Sequence, residues 1–345
     1  MRKLFSLISV FILLLAIAQD DVSERRIISI ESNDGTQSGN IRFGPIIYEH
    51  PEPDGVVATV STLTIFSSYA TLRGPETAEG EDRMTLAQAQ GQRTATFTEG
   101  VQVERGRLSA TGPDLFYSEE EGLGDLTGGV EIEVAPRQPQ VAEPAAEEAD
   151  TEDAEEEAEG DSEAESGDAE AEANDDAETE PVFITADEAE FDVDTDVSIS
   201  RGNVNLINGN QTAQADEIEY EEERTLGVLR GNRPQVVRVD EDGNELTITA
   251  DEIRAETDSK RLYAVGNAVV IDGGITTTGD EVFFDDEQQL AEIVGDPAES
   301  VDEDGATVRA PRIQQDIEFD VVEPMNAAQE SGFSADEFLL TRENE

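Results

Sequence analysis

An internal sequence repeat determines the fold, and its first copy is ITADEAEFDVDTDVSISRGNVNL at residues 184–206. Four copies share an aspartate followed fifteen residues later by a glycine, in the pairs Asp187 and Gly202, Asp216 and Gly231, Asp251 and Gly266, Asp280 and Gly295. The opening ITADE returns at residue 248, so a unit of 64 residues overlies the shorter one. Repeats of this length indicate stacked supersecondary units.

Each copy has the pattern of two strands. Apolar or small residues stand at the second and fourth positions after each aspartate, as Ile218 and Tyr220 do in the second copy. Alternation with a period of two predicts a β-strand with one buried face. A polar turn, a second strand that reaches the glycine, and a turn dipeptide such as Asn208-Gly209 complete the copy. We therefore predict an all-β, antiparallel region.

The N-terminus has the pattern of an export signal. Arg2 and Lys3 precede an apolar run at 4–18 that ends in Ala-Ile-Ala. This pattern predicts a signal peptide at 1–18, cleaved after Ala18. A retained anchor is the alternative, although the run is shorter than the roughly 20 residues that span a bilayer. The chain has no cysteine, which excludes disulfides and thiolate metal sites.

The formal net charge of −60 is concentrated in one segment. Residues 141–180 hold twenty acids and no base. We predict a disordered acidic linker at 136–181, which acts either as a spacer or as a tail that collects cations or partners. A chain this acidic repels nucleic acid.

The linker separates two predicted β domains, at 27–135 and 182–320. The first domain carries a diverged form of the repeat, with Asp114 fifteen residues before Gly129. The tail at 321–345 contains Ser334 and Glu337 in capping-box spacing, which predicts a short helix that is either frayed or docked.

No constellation of residues indicates catalysis, so the sequence predicts a protein that is not an enzyme and has no cofactor. His50 is the only histidine and is expected at the surface. The run Asp192-x-Asp194-x-Asp196 begins like a calcium loop, but Val197 and Asn203 occupy the positions that need glycine and glutamate. We interpret it as an acidic hairpin turn. The repeating aspartates are expected to bond their local backbone.

The repeats resemble a known family. The segments at 184–206, 214–231 and 248–270 look like the OstA-like repeat of the LptA family of periplasmic lipopolysaccharide carriers. The resemblance is specific for 184–315 and loose for 27–135, for which the related LptC is the alternative model. It implies two open β-jellyroll domains, each of which stacks end to end and shields acyl chains in an apolar groove.

The function implied is a non-enzymatic periplasmic bridge that carries lipopolysaccharide or a similar envelope glycolipid between the inner and outer membranes. Other Lpt-type transport proteins are the implied partners, and self-stacking is a further possibility. Our candidates for the lipid groove are Phe191, Val204, Leu206, Ile218, Tyr220, Ile253, Val269, Val282 and Phe284. The alternative is a structural or adhesive cell-surface repeat protein, in which the same apolar column is only core.

Overall fold

The computed structural model describes residues 24–76, 82–137, 180–240, 242–325 and 333–343. The predicted signal peptide and nearly all of the acidic linker lie outside these residues. In the described part, every strand pairing is antiparallel, which confirms the predicted fold class. No helix in the described part is long and apolar enough to cross a membrane.

The first half contains nine strands. They are β1 (Ser29–Glu31), β2 (Thr36–Gly39), β3 (Ile46–Glu49), β4 (Val56–Val60), β5 (Leu63–Ser67), β6 (Tyr69–Arg73), β7 (Thr94–Arg105), β8 (Leu108–Ser118) and β9 (Leu123–Val134).

The second half follows the repeats. Its strands are β10 (Val182–Asp192), β11 (Val197–Asn208), β12 (Gln211–Glu221), β13 (Leu226–Arg230), β14 (Gln235–Val239), β15 (Glu245–Thr249), β16 (Glu252–Glu256), β17 (Arg261–Asp272), β18 (Ile275–Asp285), β19 (Leu290–Val301), β20 (Thr307–Asp316) and β21 (Val321–Met325).

Each long strand of the repeats is interrupted in its middle by a β-bulge. The register between β11 and β12 shifts between Arg201 and Val204, just where Gly202 stands with φ +77. On either side of the bulge, β12 has different neighbours: residues 211–214 pair with β14, and residues 217–221 pair with β13. The bulge thus turns each strand from one layer of the sheet into another.

We call these the front layer and the back layer. In the second half, the front layer comprises 182–186, 204–208, 211–215, 235–239, 245–249, 268–272, 275–279, 298–301 and 307–310. The back layer comprises 188–192, 197–201, 217–221, 226–230, 252–256, 261–265, 281–285, 290–294, 312–316 and 321–325. Alternate side chains of both layers point toward each other, and these form one apolar cluster.

The strands on the two sides of the linker are hydrogen-bonded to each other. β9 pairs with β10 over nearly their whole length, and Val134 lies opposite Val182. One buried cluster includes residues of both halves, and the described residues on the two sides of the linker make up one compact unit. The two halves therefore share a sheet and a core, and it stays a prediction that each half folds independently as a domain.

The C-terminal tail is ordered differently from our expectation. Its first residues form β21, which pairs with β20. The predicted α-helix is absent from the described residues; Ala335–Phe338 form a 3₁₀ turn, and the side chain of Ser334 makes no capping hydrogen bond. Of the two expectations for the tail, docking is the one observed, because Phe338 and Leu340 are buried among outward-facing residues of the back layer.

Candidate functional site

The interior between the two layers brings together eight of the nine groove candidates. All eight are buried and belong to the shared apolar cluster, namely Phe191, Val204, Leu206, Ile218, Tyr220, Ile253, Val282 and Phe284. They come from five strands of both layers, since the bulges turn the inward face of each long strand into the same space.

Val269 is the exception, because it lies on the outer side of the front layer. Its neighbours Ala268 and Val270 point inward and are buried, whereas Val269 is half-buried. Period two allows only one of two adjacent valines to face the interior. The repeat of 64 residues already indicates that residues 268 and 270 face inward, since it aligns them with Val204 and Leu206.

The interior is filled by its own side chains. Phe191 and Ile218 are 0% exposed, and a Cβ on Gly227 would lie 3.1 Å from Cδ1 of Ile218. The hydroxyl groups of Tyr220 and Thr257 are 3.2 Å apart and share a hydrogen bond. Burial raises the pKa of Tyr220, with that hydrogen bond acting in the opposite direction. The tyrosine is therefore neutral at ordinary pH and compatible with an apolar interior.

Polar contacts join the two layers along the edge opposite the bulges, which we call the lateral edge. Asn208 donates from Nδ2 to the carbonyl oxygen of Thr257 at 2.8 Å. Gln315 donates from Nε2 to Oδ2 of Asp272 at 3.1 Å and accepts from Oγ1 of Thr277 at 2.8 Å. These side chains are buried. The lateral edge is thus held by discrete hydrogen bonds, whereas the bulged side is held by continuous backbone.

Arg105, in the first half, contacts the turn between β10 and β11 of the second half across the lateral edge. It is 3% exposed, and its Nη1 donates to the carbonyl oxygens of Asp192 and Val197 at 3.3 and 3.5 Å. Its Nε and Nη2 have no hydrogen-bond partner. Burial lowers the pKa of this guanidinium, and the nearby carboxylates, with Asp196 the strongest, oppose that shift.

A cavity of about 490 Å³ opens on the lateral edge near the C-terminal end. It lies between turns of the two layers, and its lining is mostly polar or charged: Asn210, Arg238, Asp240, Asp242, Asn244, Leu246, Asp272, Gly273, Gln289, Ile317, Glu318 and Asp320. Burial raises the pKa of Asp272, while the hydrogen bond from Gln315 opposes this shift. None of the nine groove candidates lines this cavity.

The other residues singled out from the sequence contact neighbouring protein groups. The run 192–196 is a hairpin turn, as predicted, and its acids are engaged: Asp194 pairs with Arg26 and Asp196 with Arg25. His50 accepts a hydrogen bond from the backbone of Glu52 at 3.1 Å. Within the described residues, no group of three or more histidine, aspartate or glutamate side chains could hold a metal ion.

One comparison with known proteins, that with protein-family models, agrees with the resemblance seen in the repeats. Residues 183–318 match the family model described as "LptA/(LptD N-terminal domain) LPS transport protein". A solved structure of LptH, the LptA homologue of Pseudomonas aeruginosa, is similar over 34% of this chain and 83% of its own, with 19% identity and a TM-score of 0.32. None of the curated proteins compared with the chain matches it. The family model thus matches the part of the chain whose repeats resemble the LptA family.

Proposed function

We propose that the chain is a non-enzymatic periplasmic carrier for lipopolysaccharide or a similar glycolipid and bridges the inner and outer membranes. The observation that carries the proposal is the match of residues 183–318 to a family of LPS transport proteins. The structure supplies the physical means, an apolar cluster that runs without interruption between two layers and through both halves of the chain. Other transport proteins of the same system are the partners implied, and copies stacked end to end are a further arrangement.

Acyl chains enter the interior through the lateral edge in this proposal. The hydrogen bond from Asn208 to Thr257 and those around Gln315 are few, and water can replace them when the layers part. The bulged side cannot open in this way, because backbone crosses it in every long strand. A glycolipid would then keep its polar headgroup outside, while its chains contact residues such as Ile218 and Phe284.

The close packing of the interior favours a second candidate, a structural or adhesive repeat protein. With Ile218 and Val282 both 0% exposed, the apolar column serves as a complete core without any ligand. The two candidates differ in one property, since only a carrier has lipid between its layers.

Photo-crosslinking in cells tests the proposal. A photoreactive amino acid at Ile218 faces the interior, and the same amino acid at Ile207, which is 41% exposed on the outer side of the front layer, is the matched control. We expect crosslinked lipid at position 218 and little at position 207, measured by mass spectrometry of the purified chain. Equal labelling at both positions, or none at position 218 in a folded chain, contradicts the carrier and favours the structural candidate.

A further inference from the structure

The outer side of the front layer carries a row of side chains without a single charge. The register places nine residues side by side across nine strands: Phe183, Ile207, Thr212, Val237, Thr247, Ile271, Thr276, Val301 and Thr307. A second row beside it is also uncharged and consists of Thr185, Asn205, Gln214, Gln235, Thr249, Val269 and Thr278. We call the two rows together the neutral stripe.

The neutral stripe stands out because 30% of the chain is charged and the formal net charge is −60. The outer side of the back layer has the opposite character. There, Arg201 pairs with Glu190 and Glu217, and Arg230 pairs with Glu219 and Glu252. The apolar part of that outer side is covered by the C-terminal tail. The front layer has no such cover among the described residues.

Large apolar side chains are exposed along the stripe. Phe183, Ile207 and Ile271 are 43%, 41% and 44% exposed, and Phe183 lies directly opposite Ile207 in the register. Single exposed apolar residues are ordinary, but a contiguous apolar and uncharged surface is typical of a surface that another molecule covers. A flat antiparallel sheet of this kind packs well against a second sheet, at about 10 Å.

We propose that the neutral stripe is the surface on which a second copy of this chain docks, face to face. Two copies that each carry a large negative charge repel one another through most of their surfaces, and the stripe is where this repulsion is smallest. The longer row spans about 38 Å across nine strands, since strands are about 4.8 Å apart, and the two rows take up a width of about 14 Å, since residues rise about 3.4 Å. The resulting area of about 500 Å² per copy, or about 1,000 Å² in total, lies at the lower limit of specific interfaces.

The charges at the two ends of the stripe favour one orientation. Glu131 and Glu133 of β9 continue the rows beyond Thr185 and Phe183. At the other end, Arg309 is paired with Glu299 at 2.8 Å. A two-fold axis that runs along the strands reverses the order of strands in the second copy. This arrangement keeps Glu131 and Glu133 of the two copies apart, sets them toward the Glu299–Arg309 pair instead, and places Val237 near the axis.

The proposal does not require that the chain carry lipid, because the stripe and the interior are opposite sides of the front layer. The test is therefore the oligomeric state of the full exported chain, purified and measured both before and after lipid extraction. Failure of the lipid test with an intact dimer leaves this inference standing, and the reverse result leaves the carrier standing.

Sedimentation equilibrium at moderate salt is expected to show a reversible dimer. The double variant Ile207→Lys with Ile271→Lys should raise the dimer dissociation constant at least about a hundredfold, because each unpaired charge in the interface should cost about tenfold or more. These lysines reduce the net negative charge and hence the repulsion between two copies, so that repulsion cannot explain a loss of the dimer. The matched control is Ile199→Lys with Val294→Lys on the outer side of the back layer, which should dimerise normally.

Thiol crosslinking gives a second measurement that does not depend on a destabilising change. The chain has no cysteine, so Val237→Cys introduces a single thiol. Facing sheets lie about 10 Å apart, too far for a direct disulfide, so the reagent is a bismaleimide that spans about 10 Å. We expect it to yield a covalent dimer with Val237→Cys and none with Ile199→Cys. A monomer at every concentration and salt level, or a dimer that responds only to the changes at Ile199 and Val294, overturns the proposal. A dimer that crosslinks through Phe183→Cys but not through Val237→Cys overturns the reversed strand order.

Discussion

Asn267 donates a hydrogen bond from Nδ2 to Oδ2 of Asp251 at 2.7 Å, although the two residues are sixteen apart in the chain. Asn203 and Asp187 make the same contact at the same distance. In the copy that begins at Asp216, the backbone nitrogen of Asn232 is the donor, at 2.8 Å. The aspartates of these three copies therefore hold the bulge of the neighbouring strand, and the expectation that they bond their local backbone was wrong for them.

The residue just before each of these asparagines must be glycine, because a side chain there would clash with the aspartate. A Cβ on Gly266, whose φ is +82, would lie 2.6 Å from Oδ2 and 2.9 Å from Cβ of Asp251. Gly202 faces Asp187 in the same way. The spacing of fifteen residues between aspartate and glycine is thus the length of chain that returns to the same bulge along the adjacent strand.

The first prediction concerns this contact. Gly266→Ala should lower the free energy of unfolding by about 3 kcal/mol, since it combines an unfavourable positive φ with a clash. Gly243→Ala is the matched control, because Gly243 has φ +87 and nothing within 4 Å of the added Cβ. It should cost about 1 kcal/mol. Denaturant unfolding measures both. In an Asp251→Gly background, which removes the Cβ of Asp251 as well as its carboxylate, the cost at Gly266 should fall toward that at Gly243, and an unchanged cost would contradict the proposed clash.

The sequence predicted the strands and the repeat, because alternation and turn dipeptides are local signals. It placed Ile218, Tyr220, Val282 and Phe284 on one buried face, where the structure has them. It did not predict that β9 and β10 pair, because residues 135–181 separate the two strands and no local signal links them. It left open whether the tail is frayed or docked, because Phe338 is buried by contacts with residues about a hundred positions earlier, such as Val228.

The second prediction concerns that tail. Phe338 is 1% exposed in a cluster with Tyr263 and Phe283, and Arg254 donates to its carbonyl oxygen at 3.0 Å. Phe338→Ala should lower the free energy of unfolding by about 3 to 5 kcal/mol, the usual cost for a buried phenylalanine. Phe319→Ala is the control, since Phe319 is 65% exposed and should change stability by less than about 0.5 kcal/mol. Similar melting curves for the two variants would mean that the tail is not docked in solution.

The third prediction concerns pH and the buried carboxyl of Asp272. Burial raises the pKa of this group in the folded chain, so the folded state disfavours its charged form. The folding penalty is present at neutral pH and disappears as the pH falls through the raised pKa toward the unfolded value of about 4. Asp272→Asn, which keeps an oxygen for Gln315, should therefore raise the melting temperature at pH 7. The gain should shrink toward zero near pH 4. A gain that is constant with pH would show that the change acts through packing.

The fourth prediction concerns the acidic linker. Val134 and Val182 face each other in adjacent strands, so a turn of four residues can join them in place of residues 136–180. Shortening this loop should raise the free energy of unfolding by about 2 kcal/mol, because closing a loop costs about 0.6 kcal/mol for each doubling of its length. Loss of twenty like charges should act in the same direction. A control with the linker sequence scrambled should unfold like the natural chain, and a less stable short-turn variant would show that the linker contributes contacts.

The last prediction separates a lipid-binding interior from a closed core. Ile218→Asp places a carboxylate at a position that is 0% exposed, where an unpaired charge costs several kcal/mol in apolar surroundings. If the layers part along the lateral edge, as the carrier requires, water reaches this carboxylate and the chain stays folded, but acyl chains no longer bind. We therefore expect an unchanged β-type circular dichroism spectrum and little extractable lipid. Ile199→Asp, on the outer side of the back layer, should keep both fold and lipid. An Ile218→Asp chain that is unfolded would show that the interior is a closed core, and the structural function would then be preferred.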